Sequence, residues 1–179
     1  MSGFCLRCMK NEKKDDNEKI IVVASGYFDP LHAGHIEYLK LARELGDKLI
    51  VILNNDKQTI LKKGKVFMPL EERKSILESL KMVDEVFVSI DEEQIGEHRP
   101  VIESIKKVHK EMGPIHIFAK GGDRFAYEIP EAKICMELGI KIIDGLGEKI
   151  QSSSWLIKGE GCRNIVNSDG KVEKENEKA

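Results

Sequence analysis

The sequence has few cysteines, no long apolar run and no excess of one charge, and each of these absences excludes a class of protein. Its 179 residues contain four cysteines, too few for a disulfide framework, so we expect free, reduced thiols. No stretch approaches the roughly eighteen apolar residues of a membrane-spanning helix, which predicts no membrane partner. The 29 basic and 31 acidic side chains give a net charge of −2, so the chain lacks the basic excess that binds a nucleic-acid backbone.

The two ends of the chain are polar and charged. Residues 1–18 have neither the apolar core of a signal peptide nor the acid-poor composition of a mitochondrial presequence, which predicts a cytoplasmic protein. We expect a disordered leader at 1–18 and a disordered tail at 161–179, because both have little apolar surface to bury. Cys5 and Cys8 form a lone Cys-x-x-Cys in the leader. A zinc site there would need two distant ligands, so we favour free thiols.

Between these ends, residues 19–160 form one predicted domain in which apolar runs alternate with amphipathic stretches. The apolar runs are typical of strands buried on both faces and lie at 20–24, 48–53, 85–89, 115–119 and 141–143. The amphipathic stretches predict helices at 35–45, 69–80, 100–112 and 128–138, with a further helix start at 153–158. This alternation predicts an α/β, Rossmann-like, doubly wound sheet of five parallel strands. Such sheets bind ligands beyond the carboxyl ends of their strands.

The segment after the first predicted strand reads Ser25-Gly-Tyr-Phe-Asp-Pro-Leu-His-Ala-Gly-His35. It places His32 and His35 at a predicted helix start, where unpaired N–H groups and the helix dipole favour anions. Gly34 lets a ligand approach the backbone closely. The two imidazoles either donate hydrogen bonds to a phosphate or cap and pack the helix. Their position directly after a buried strand and Gly-x-Phe-Asp favours the phosphate interpretation.

This segment resembles the signature of the cytidylyltransferase-like nucleotidyltransferase superfamily. Further segments resemble the family in the same order along the chain, at 46–56, 69–73, 83–86, 120–123 and 152–154. The chain departs from the family before the last of these, where many members have an arginine and this sequence has Lys149. This difference bears on which nucleotide the protein binds and on whether the protein is fully active.

The resemblance implies a reaction and a set of residue roles. An oxygen of a phosphorylated substrate attacks the α-phosphate of a nucleoside triphosphate, and pyrophosphate leaves without a covalent enzyme intermediate. His32 and His35 are implied to be catalytic, because they would stabilise the transition state at the α-phosphate. The backbone of Tyr27 and Phe28, together with Gly34, is implied to contact the nucleotide. Mg²⁺ is the implied cofactor, bound by triphosphate oxygens with few protein ligands.

Three lysines, Lys62, Lys63 and Lys65, surround Gly64 in what we expect to be a loop after the second strand. They are either a mobile cationic lid over phosphates or a solvated charge run. The neighbouring family segments favour the lid. The spacing does not distinguish the lysines; we assign Lys63 to catalysis and the other two to the substrate phosphate. Arg73, near a predicted helix start, is either another phosphate contact or a surface ion-pair residue.

Two more candidate nucleotide-binding segments follow the fourth and fifth predicted strands. In the first, Gly121 permits unusual backbone angles and Asp123 can accept hydrogen bonds from a ribose or base; the alternative is a tight turn. The second offers three hydroxyls just before a predicted helix, where serines cap the helix, bind phosphate, or do both. These hydroxyls belong to Ser152, Ser153 and Ser154.

The expected function is a nucleotidyltransferase that transfers a nucleoside monophosphate to a phosphorylated sugar or polyol. Leu31-His-Ala-Gly-His35 and Lys120-Gly-Gly-Asp123 resemble the adenylyltransferase domain that makes ADP-heptose, which favours ATP. The alternatives are a CTP-dependent enzyme acting on a substrate like glycerol phosphate or choline phosphate, and a catalytically weak nucleotide-binding regulatory module. Members of the family are often dimers, so a homodimer is possible.

Overall fold

Five parallel strands form the central sheet of the protein. The computed structural model describes residues 19–92, 100–121, 129–147 and 153, and two short strands at 165–166 and 172–173. The strands of the sheet lie in the order β3-β2-β1-β4-β5, and all four neighbouring pairs are parallel. Their bounds are β1 Ile21–Gly26, β2 Lys48–Leu53, β3 Glu85–Val88, β4 Ile115–Gly121 and β5 Lys141–Leu146. The predicted α/β, Rossmann-like, five-stranded parallel fold is confirmed.

Helices cover both faces of this sheet. Their bounds are α1 Ala33–Glu44, α2 Asp56–Lys63, α3 Leu70–Glu78, α4 Ile102–Glu111 and α5 Ala132–Glu137. Along β1, Val22 and Ala24 pack with α1 and α3 on one face, whereas Ile21 and Val23 pack with α4 and α5 on the other. Because successive side chains of a strand point to opposite faces, a strand buried on both faces needs an unbroken apolar sequence.

The order of the strands reverses beside β1. The chain runs outward from β1 through β2 to β3, and it then returns to place β4 on the other side of β1. The crevice beyond the carboxyl ends of β1 and β4 is therefore the switch point at which parallel sheets bind ligands. The loops that follow these two strands are the first place to look for a site.

The segment after β2 differs from the prediction, because residues 56–63 are helical and not a loop. Asn55 and Gln58 form a capping box at the start of α2, in which the side chain of each bonds to the backbone of the other. Gly64 ends the helix in the left-handed conformation with φ of 80°, where glycine has no steric penalty. Lys62 and Lys63 consequently lie in the last turn of a helix, and only Lys65 lies beyond it.

The structure describes a short element near the end of the chain, and the expected disorder of the tail stays a prediction. The tail expected to be disordered contains an antiparallel pair of two-residue strands, β6 Ile165–Val166 and β7 Val172–Glu173. The leader at 1–18 lies outside the described residues. Within the described part of the chain, no helix combines the length and hydrophobicity needed to cross a bilayer, and the cytoplasmic location stays a prediction.

Candidate active site

The loop between β1 and α1 crosses the carboxyl edge of the sheet, and its conformation is fixed by Phe28. This residue has a φ of 50°, in the left-handed region that residues other than glycine rarely adopt. Its ring is 1% exposed and packs so closely on Gly26 that a Cβ there would lie 3.0 Å from the ring. Burial of the ring thus holds a backbone conformation that would otherwise be strained. The backbone contacts of Tyr27 and Phe28 with a nucleotide stay a prediction.

The two histidines lie together at the start of α1. His32 is the N-cap residue, but its side chain makes no capping hydrogen bond. Its ring stacks on the ring of His35 with centroids 3.7 Å apart and planes 20° apart. The ring of His35 also meets Phe28 edge-on at 5.0 Å. The side chain of His32 therefore does not cap the helix, and Gly34 lies between the two histidines in the first turn.

Both imidazoles are uncharged near neutral pH. Burial, together with the charge of Lys63, lowers the pKa of His32 below its usual 6.5. Burial, His32 and Lys63 lower the pKa of His35 to about 3. Each ring buries an Nδ1 atom that has no hydrogen-bond partner among the described residues. Unpaired buried polar atoms are costly in free energy, so this pair of histidines is a candidate for rearrangement or for ligand binding. Each neutral ring can donate one N–H.

Lys63 reaches from α2 back to the loop that holds the histidines. Its ammonium donates a hydrogen bond to the carbonyl oxygen of Asp29 and lies 4.0 Å from the Asp29 carboxylate. It also lies 5.7 Å from the centroid of the Tyr27 ring. Burial lowers the pKa of Lys63 although Asp29 opposes this effect. The structure thus brings Lys63 together with the histidine pair, as the assignment to catalysis requires.

Lys62 and Lys65 are not brought to this loop. Both are exposed, and the structure records no ion pair or side-chain hydrogen bond for either one among the described residues. Their predicted role in binding the substrate phosphate therefore stays a prediction. The predicted loop is wrong for Lys62 and Lys63, because both belong to a capped helix, whereas the cationic lid over phosphates stays a prediction.

A buried network fixes the floor beneath Lys63. The carboxylate of Asp29 is 0% exposed and accepts hydrogen bonds from the backbone N–H groups of Phe67, at 3.1 Å, and Met68, at 2.6 Å. The guanidinium of Arg73 donates to the carbonyl oxygens of Tyr27 and Met68. These bonds tie the segment after α2 to the loop after β1.

Arg73 also joins the ends of the two central strands. It donates to the carbonyl oxygen of Asn54 at 2.9 Å and to the carboxylate of Asp56 at 2.5 Å. The guanidinium is 0% exposed, so the alternative of a surface ion pair is wrong. Four of the five N–H groups of an arginine have protein acceptors here. The arrangement favours a positioning role, and a phosphate contact stays a prediction.

On the β4 side, Gly121 makes room for the first helix. A Cβ at Gly121 would lie 2.8 Å from the ring of Tyr38, whose hydroxyl donates to the carbonyl oxygen of Ala119 at 2.8 Å. Gly121 is the last residue of β4, so packing against α1 accounts for glycine at this position. A contact with the nucleotide stays a prediction, and Asp123 lies outside the described residues.

Ser153 contacts the loop that holds the histidines. Its hydroxyl donates a hydrogen bond to the carbonyl oxygen of Pro30 at 3.0 Å, two residues before His32. Ser153 thus meets the loop after β1, as expected if both belong to one site. Ser152 and Ser154 lie outside the described residues, so their predicted roles stay predictions.

Comparison of the chain with known protein families identifies the family to which it belongs. The model of the cytidylyltransferase-like family matches residues 23–163, which include the histidine pair, Lys63, Arg73 and Ser153. The chain belongs to the cytidylyltransferase-like family. The resemblance found in the sequence is therefore confirmed.

Curated members of the cytidylyltransferase-like group and one solved structure are similar to parts of the chain. An FAD synthase of Thermococcus onnurineus is 41% identical over 98 residues, which are 52% of this chain and 65% of that protein. The bifunctional protein HldE of Streptomyces coelicolor is 36% identical over 124 residues, which are 66% of this chain but 24% of that protein. The first five curated relatives are matched over 49% to 65% of their length. A lipopolysaccharide core biosynthesis protein of Thermoplasma volcanium superposes with a TM-score of 0.54 at 27% identity, covering 73% of this chain and 98% of that one.

The side chains of the site do not form a cage for the magnesium ion that the family implies. Within the described residues, no group of three histidine, cysteine, aspartate or glutamate side chains could hold a metal. The nearby carboxylates already accept hydrogen bonds, Asp29 from two backbone N–H groups and Asp56 from Arg73. Mg²⁺ prefers substrate phosphates and water to such a site, so it would have to arrive with the triphosphate.

Sequence reasoning missed two functional candidates in this site, Asp29 and Asp56. Both stood inside the segments that resemble the family, Asp29 in Gly-x-Phe-Asp and Asp56 after the second strand. Their position shortly after β1 and β2 was the signal available, because only the fold shows that Arg73 meets Asp56.

Proposed function

We propose that the protein transfers a nucleoside monophosphate from a nucleoside triphosphate, with ATP favoured, to a phosphorylated small molecule and releases pyrophosphate. The observation that carries this proposal is the stacked pair of His32 and His35 at the start of α1, with the ammonium of Lys63 bonded to the carbonyl oxygen of Asp29, three residues before His32. Membership in the cytidylyltransferase-like family supports the reaction type.

The chemistry requires charge stabilisation and no general base. A phosphate oxygen of the acceptor is already ionised near neutral pH, so it attacks the α-phosphorus without first losing a proton. The new O–P bond forms as the bond from the α-phosphorus to the bridging oxygen breaks, and pyrophosphate leaves with that electron pair. Charge develops on the oxygens around the α-phosphorus, and aligned donors stabilise it. The pKa values of both histidines are lowered, so each neutral ring can donate one N–H to the phosphate oxygens. The reaction does not require either ring to accept a proton.

Three features of the site would supply those donors. Each neutral imidazole provides one N–H, Lys63 provides an ammonium, and the twelve-residue helix α1 presents free N–H groups and its positive dipole end. The network of Asp29 and Arg73 holds the loop and Lys63 in place before the substrate arrives, which is the preorganisation that such catalysis depends on. When bound with the triphosphate, Mg²⁺ would neutralise part of its charge.

The first candidate for the acceptor is a phosphorylated sugar or polyol. A phosphorylated flavin is a second candidate, because five curated relatives that are 41% to 50% identical over their matched segments are named FAD synthase. Both acceptors are consistent with ATP as the donor, since FAD and ADP-sugars each contain an adenylyl group. A CTP-dependent reaction and a nucleotide-binding regulatory module are the competing functions, and a homodimer stays a prediction.

Pyrophosphate release tests this proposal. The full chain is incubated with Mg-ATP or Mg-CTP and in turn with a sugar 1-phosphate, glycerol phosphate or flavin mononucleotide. We expect pyrophosphate with ATP and one acceptor class, and release slowed by a factor of roughly a hundred or more in the His35→Ala variant. The exposed-lysine variant Lys133→Met serves as the control that keeps full activity. A melting temperature raised by Mg-ATP without pyrophosphate from any mixture would instead identify a binding module, and a preference for CTP would overturn the choice of ATP.

A further inference from the structure

The exposed large apolar side chains in the described part of the chain are concentrated around helix α2. Two of them, Ile60 and Leu61, belong to the helix itself, and Phe67 follows it. Ile90 lies in a segment whose carbonyl oxygens accept hydrogen bonds from the N-cap residue of the same helix. Only Met136, in α5, lies elsewhere. Single exposed apolar residues are ordinary on protein surfaces, but a patch of them is typical of a place where a ligand or another molecule binds.

Phe67 is the member of this patch that lies at the proposed site. Its backbone N–H donates to the Oδ2 atom of Asp29 at 3.1 Å, and the ammonium of Lys63 lies 4.0 Å from that same oxygen. Phe67 and Lys63 therefore meet at one buried atom, three residues before His32 in the loop. The carboxylate is 0% exposed whereas Phe67 is 56% exposed, so the side chain of Phe67 lies on the solvent side of the network and not in the core beneath it.

Ile60 extends the apolar surface along the neighbouring face of α2. It lies four residues after Asp56 and three before Lys63, so these three side chains share one face of the helix. The carboxylate of Asp56 accepts a hydrogen bond at 3.4 Å from the N–H of Leu70, at the far end of the segment that contains Phe67. This face of α2 is therefore turned towards that segment. Ile60 is 50% exposed, which places apolar surface on both sides of the cation.

The backbone of Phe67 is held firmly although its side chain is exposed. The N–H groups of Phe67 and Met68 both donate to the carboxylate of Asp29, and the carbonyl oxygen of Met68 accepts from the guanidinium of Arg73. A ring on a backbone that is already ordered loses little conformational entropy when it binds a partner. An aromatic ring exposed on such a support is suited to recognition.

A cation beside apolar surface matches a particular kind of ligand. A phosphate group pairs with an ammonium such as that of Lys63, and a planar aromatic group gains by stacking on a ring such as that of Phe67. The hydroxyls of a sugar or polyol instead need hydrogen-bond partners when they leave water, and the side chains of Ile60 and Phe67 offer none. The chemistry of the patch thus favours a phosphate ester of an aromatic group over a phosphorylated polyol.

The position of the patch favours the acceptor over the nucleotide. The residues that we expect to bind the nucleotide after the last two strands, such as Gly121 and Ser153, follow β4 and β5. Phe67 follows β2 and α2, and it reaches the histidine loop from the opposite side, through Asp29. Two reactants that meet at one phosphorus have to approach it from opposite sides.

We propose that Phe67, with Ile60 beside it, is the specificity-determining residue for the acceptor, and that it binds the planar aromatic group of a phosphate ester whose phosphate meets Lys63. This inference rests on the proposed function for the transfer reaction. It favours the phosphorylated flavin over the phosphorylated polyol as the acceptor.

Binding of flavin mononucleotide to the full chain tests the proposal. Quenching of flavin fluorescence measures its Kd, with and without a non-hydrolysable Mg-ATP analogue to allow for ordered binding. Phe67→Ala should weaken flavin binding about tenfold, the loss expected when a stacked ring is removed, and Phe67→Leu should give an intermediate Kd. Calorimetry should show unchanged Kd values for inorganic phosphate and Mg-ATP, because neither probe uses the ring.

Matched controls separate this ring from exposed apolar surface in general. Ile90→Ala and Met136→Ala remove exposed apolar side chains away from Lys63 and should leave flavin binding unchanged. A spectroscopic readout comes from Phe67→Trp, because an indole in contact with an isoalloxazine ring quenches its fluorescence by electron transfer. Bound flavin should therefore be dimmer in Phe67→Trp than in the wild type, whereas Met136→Trp should have no such effect. Thermal melting shows whether each variant is folded.

Each alternative has its own outcome. An unchanged flavin Kd in Phe67→Ala, or no flavin binding by the wild type in either condition, overturns the proposal. Weakened Mg-ATP binding would assign the ring to the nucleobase, and a wild-type dimer that Phe67→Ala converts to a monomer would assign the patch to a second copy of the chain; both results reject the acceptor assignment.

Failure of this inference and failure of the proposed function give different results. Pyrophosphate release with a sugar phosphate, at the same rate in Phe67→Ala, would keep the proposed function and reject the aromatic acceptor. Flavin binding that depends on Phe67, in a chain that releases no pyrophosphate from any mixture, would keep the binding site and reject the transfer reaction.

Discussion

The two sides of the histidine loop are built differently. On the β2 side, Lys63 lies above a dense network in which Arg73 alone donates four hydrogen bonds and Asp29 accepts two backbone N–H groups. On the β4 side, Lys120 has a hydroxyl at 3.0 Å and a carboxylate at 3.6 Å. Both lysines are largely buried, and the β2 side is distinguished by the buried network of Asp29 and Arg73 that lies beneath Lys63.

This difference suggests that the β2 side is the rigid side of the site. A group that stabilises a transition state has to be in position before the reaction, because rearrangement during the reaction would cost part of the stabilisation. The contrast predicts that substitutions in the network of the β2 side affect folding and turnover strongly, whereas substitutions on the other side of the loop have smaller effects.

The largest effect is expected for Arg73→Met. This change preserves much of the side-chain volume but leaves the carbonyl oxygens of Tyr27, Asn54 and Met68 without their donor. Removing a buried charge from such a network costs about 3–5 kcal/mol. Urea unfolding should therefore show a lower midpoint with an unchanged m-value.

Arg43→Met is the matched control for Arg73→Met. Arg43 also pairs with a carboxylate, that of Asp84 at 3.2 Å, but its side chain is 33% exposed. Exposed ion pairs contribute only about 0–1 kcal/mol. Equal losses of stability in the two variants would remove the distinction between a rigid side of the site and ordinary surface pairing.

The next largest effect is expected for the histidines between the two sides. His32→Ala or His35→Ala should each reduce kcat by a factor of roughly a hundred or more, by analogy with the loss of a donor from an oxyanion hole. Folding should change little, because the Nδ1 atoms of both rings have no hydrogen-bond partner among the described residues. Single-turnover rates together with thermal melting measure both quantities. Near-normal turnover would reject catalysis by the histidines, and unfolding would indicate a structural role.

Much of the fold was predictable because both faces of the central strands are buried. The unbroken apolar runs of β1 and β2 and the polar-to-apolar alternation of α1 and α4 are dictated by that burial. Helix α2 was not predicted because its hydrophobic pattern is weak. Its apolar residues Ile60 and Leu61 are about half exposed. Its signals were local instead, namely the Asn55-x-x-Gln58 capping box and the terminal Gly64.

The site was predictable in part, for a related physical reason. His32, His35 and Lys63 lie in contiguous segments after strands, where parallel sheets place ligands. The roles of Arg73 and Asp29 depend on contacts across 46 and 39 residues of sequence, which no local pattern encodes. The same holds for Lys120, whose partners Ser25 and Glu131 come from different elements.

A smaller effect is expected in the pH dependence of stability. The pKa of His35 is about 3 in the folded chain and near 6.5 when unfolded, so below about pH 6.5 the unfolded chain takes up a proton that the folded chain does not. The free energy of unfolding should therefore fall as the pH falls from 6.5 towards 3, by at most about 1.4 kcal/mol per pH unit for this group. Urea midpoints between pH 7 and pH 5 measure this slope, and His35→Gln should reduce it.

The same pH series compares the two lysines. The charge of Lys63 is one of the causes that lower the pKa of His35, so Lys63→Met should raise that pKa. The loss of stability should still begin near pH 6.5, but it should end at a higher pH and be smaller in total. Lys120 is not among those causes, and Lys120→Met should leave the histidine titration where it is. NMR titration of the imidazole Cε1–H signals measures the pKa of His35 in each variant. A shift of equal size in both variants would contradict a separate action of the two lysines.

The smallest effect is expected for Ser153→Ala, which removes one hydrogen bond between the segment after β5 and the carbonyl oxygen of Pro30. A single neutral hydrogen bond contributes about 0.5–1.5 kcal/mol, so the melting temperature should change by a few degrees at most. If this bond aligns the serine segment with the histidine loop, the KM for the triphosphate should rise more than kcat falls. Ser79→Ala is the control, because the Ser79 hydroxyl bonds only within its own helix end, to the carbonyl oxygen of Ile76. A loss of stability in Ser153→Ala as large as that in Arg73→Met would show that the β4 and β5 side of the loop is as rigid as the β2 side.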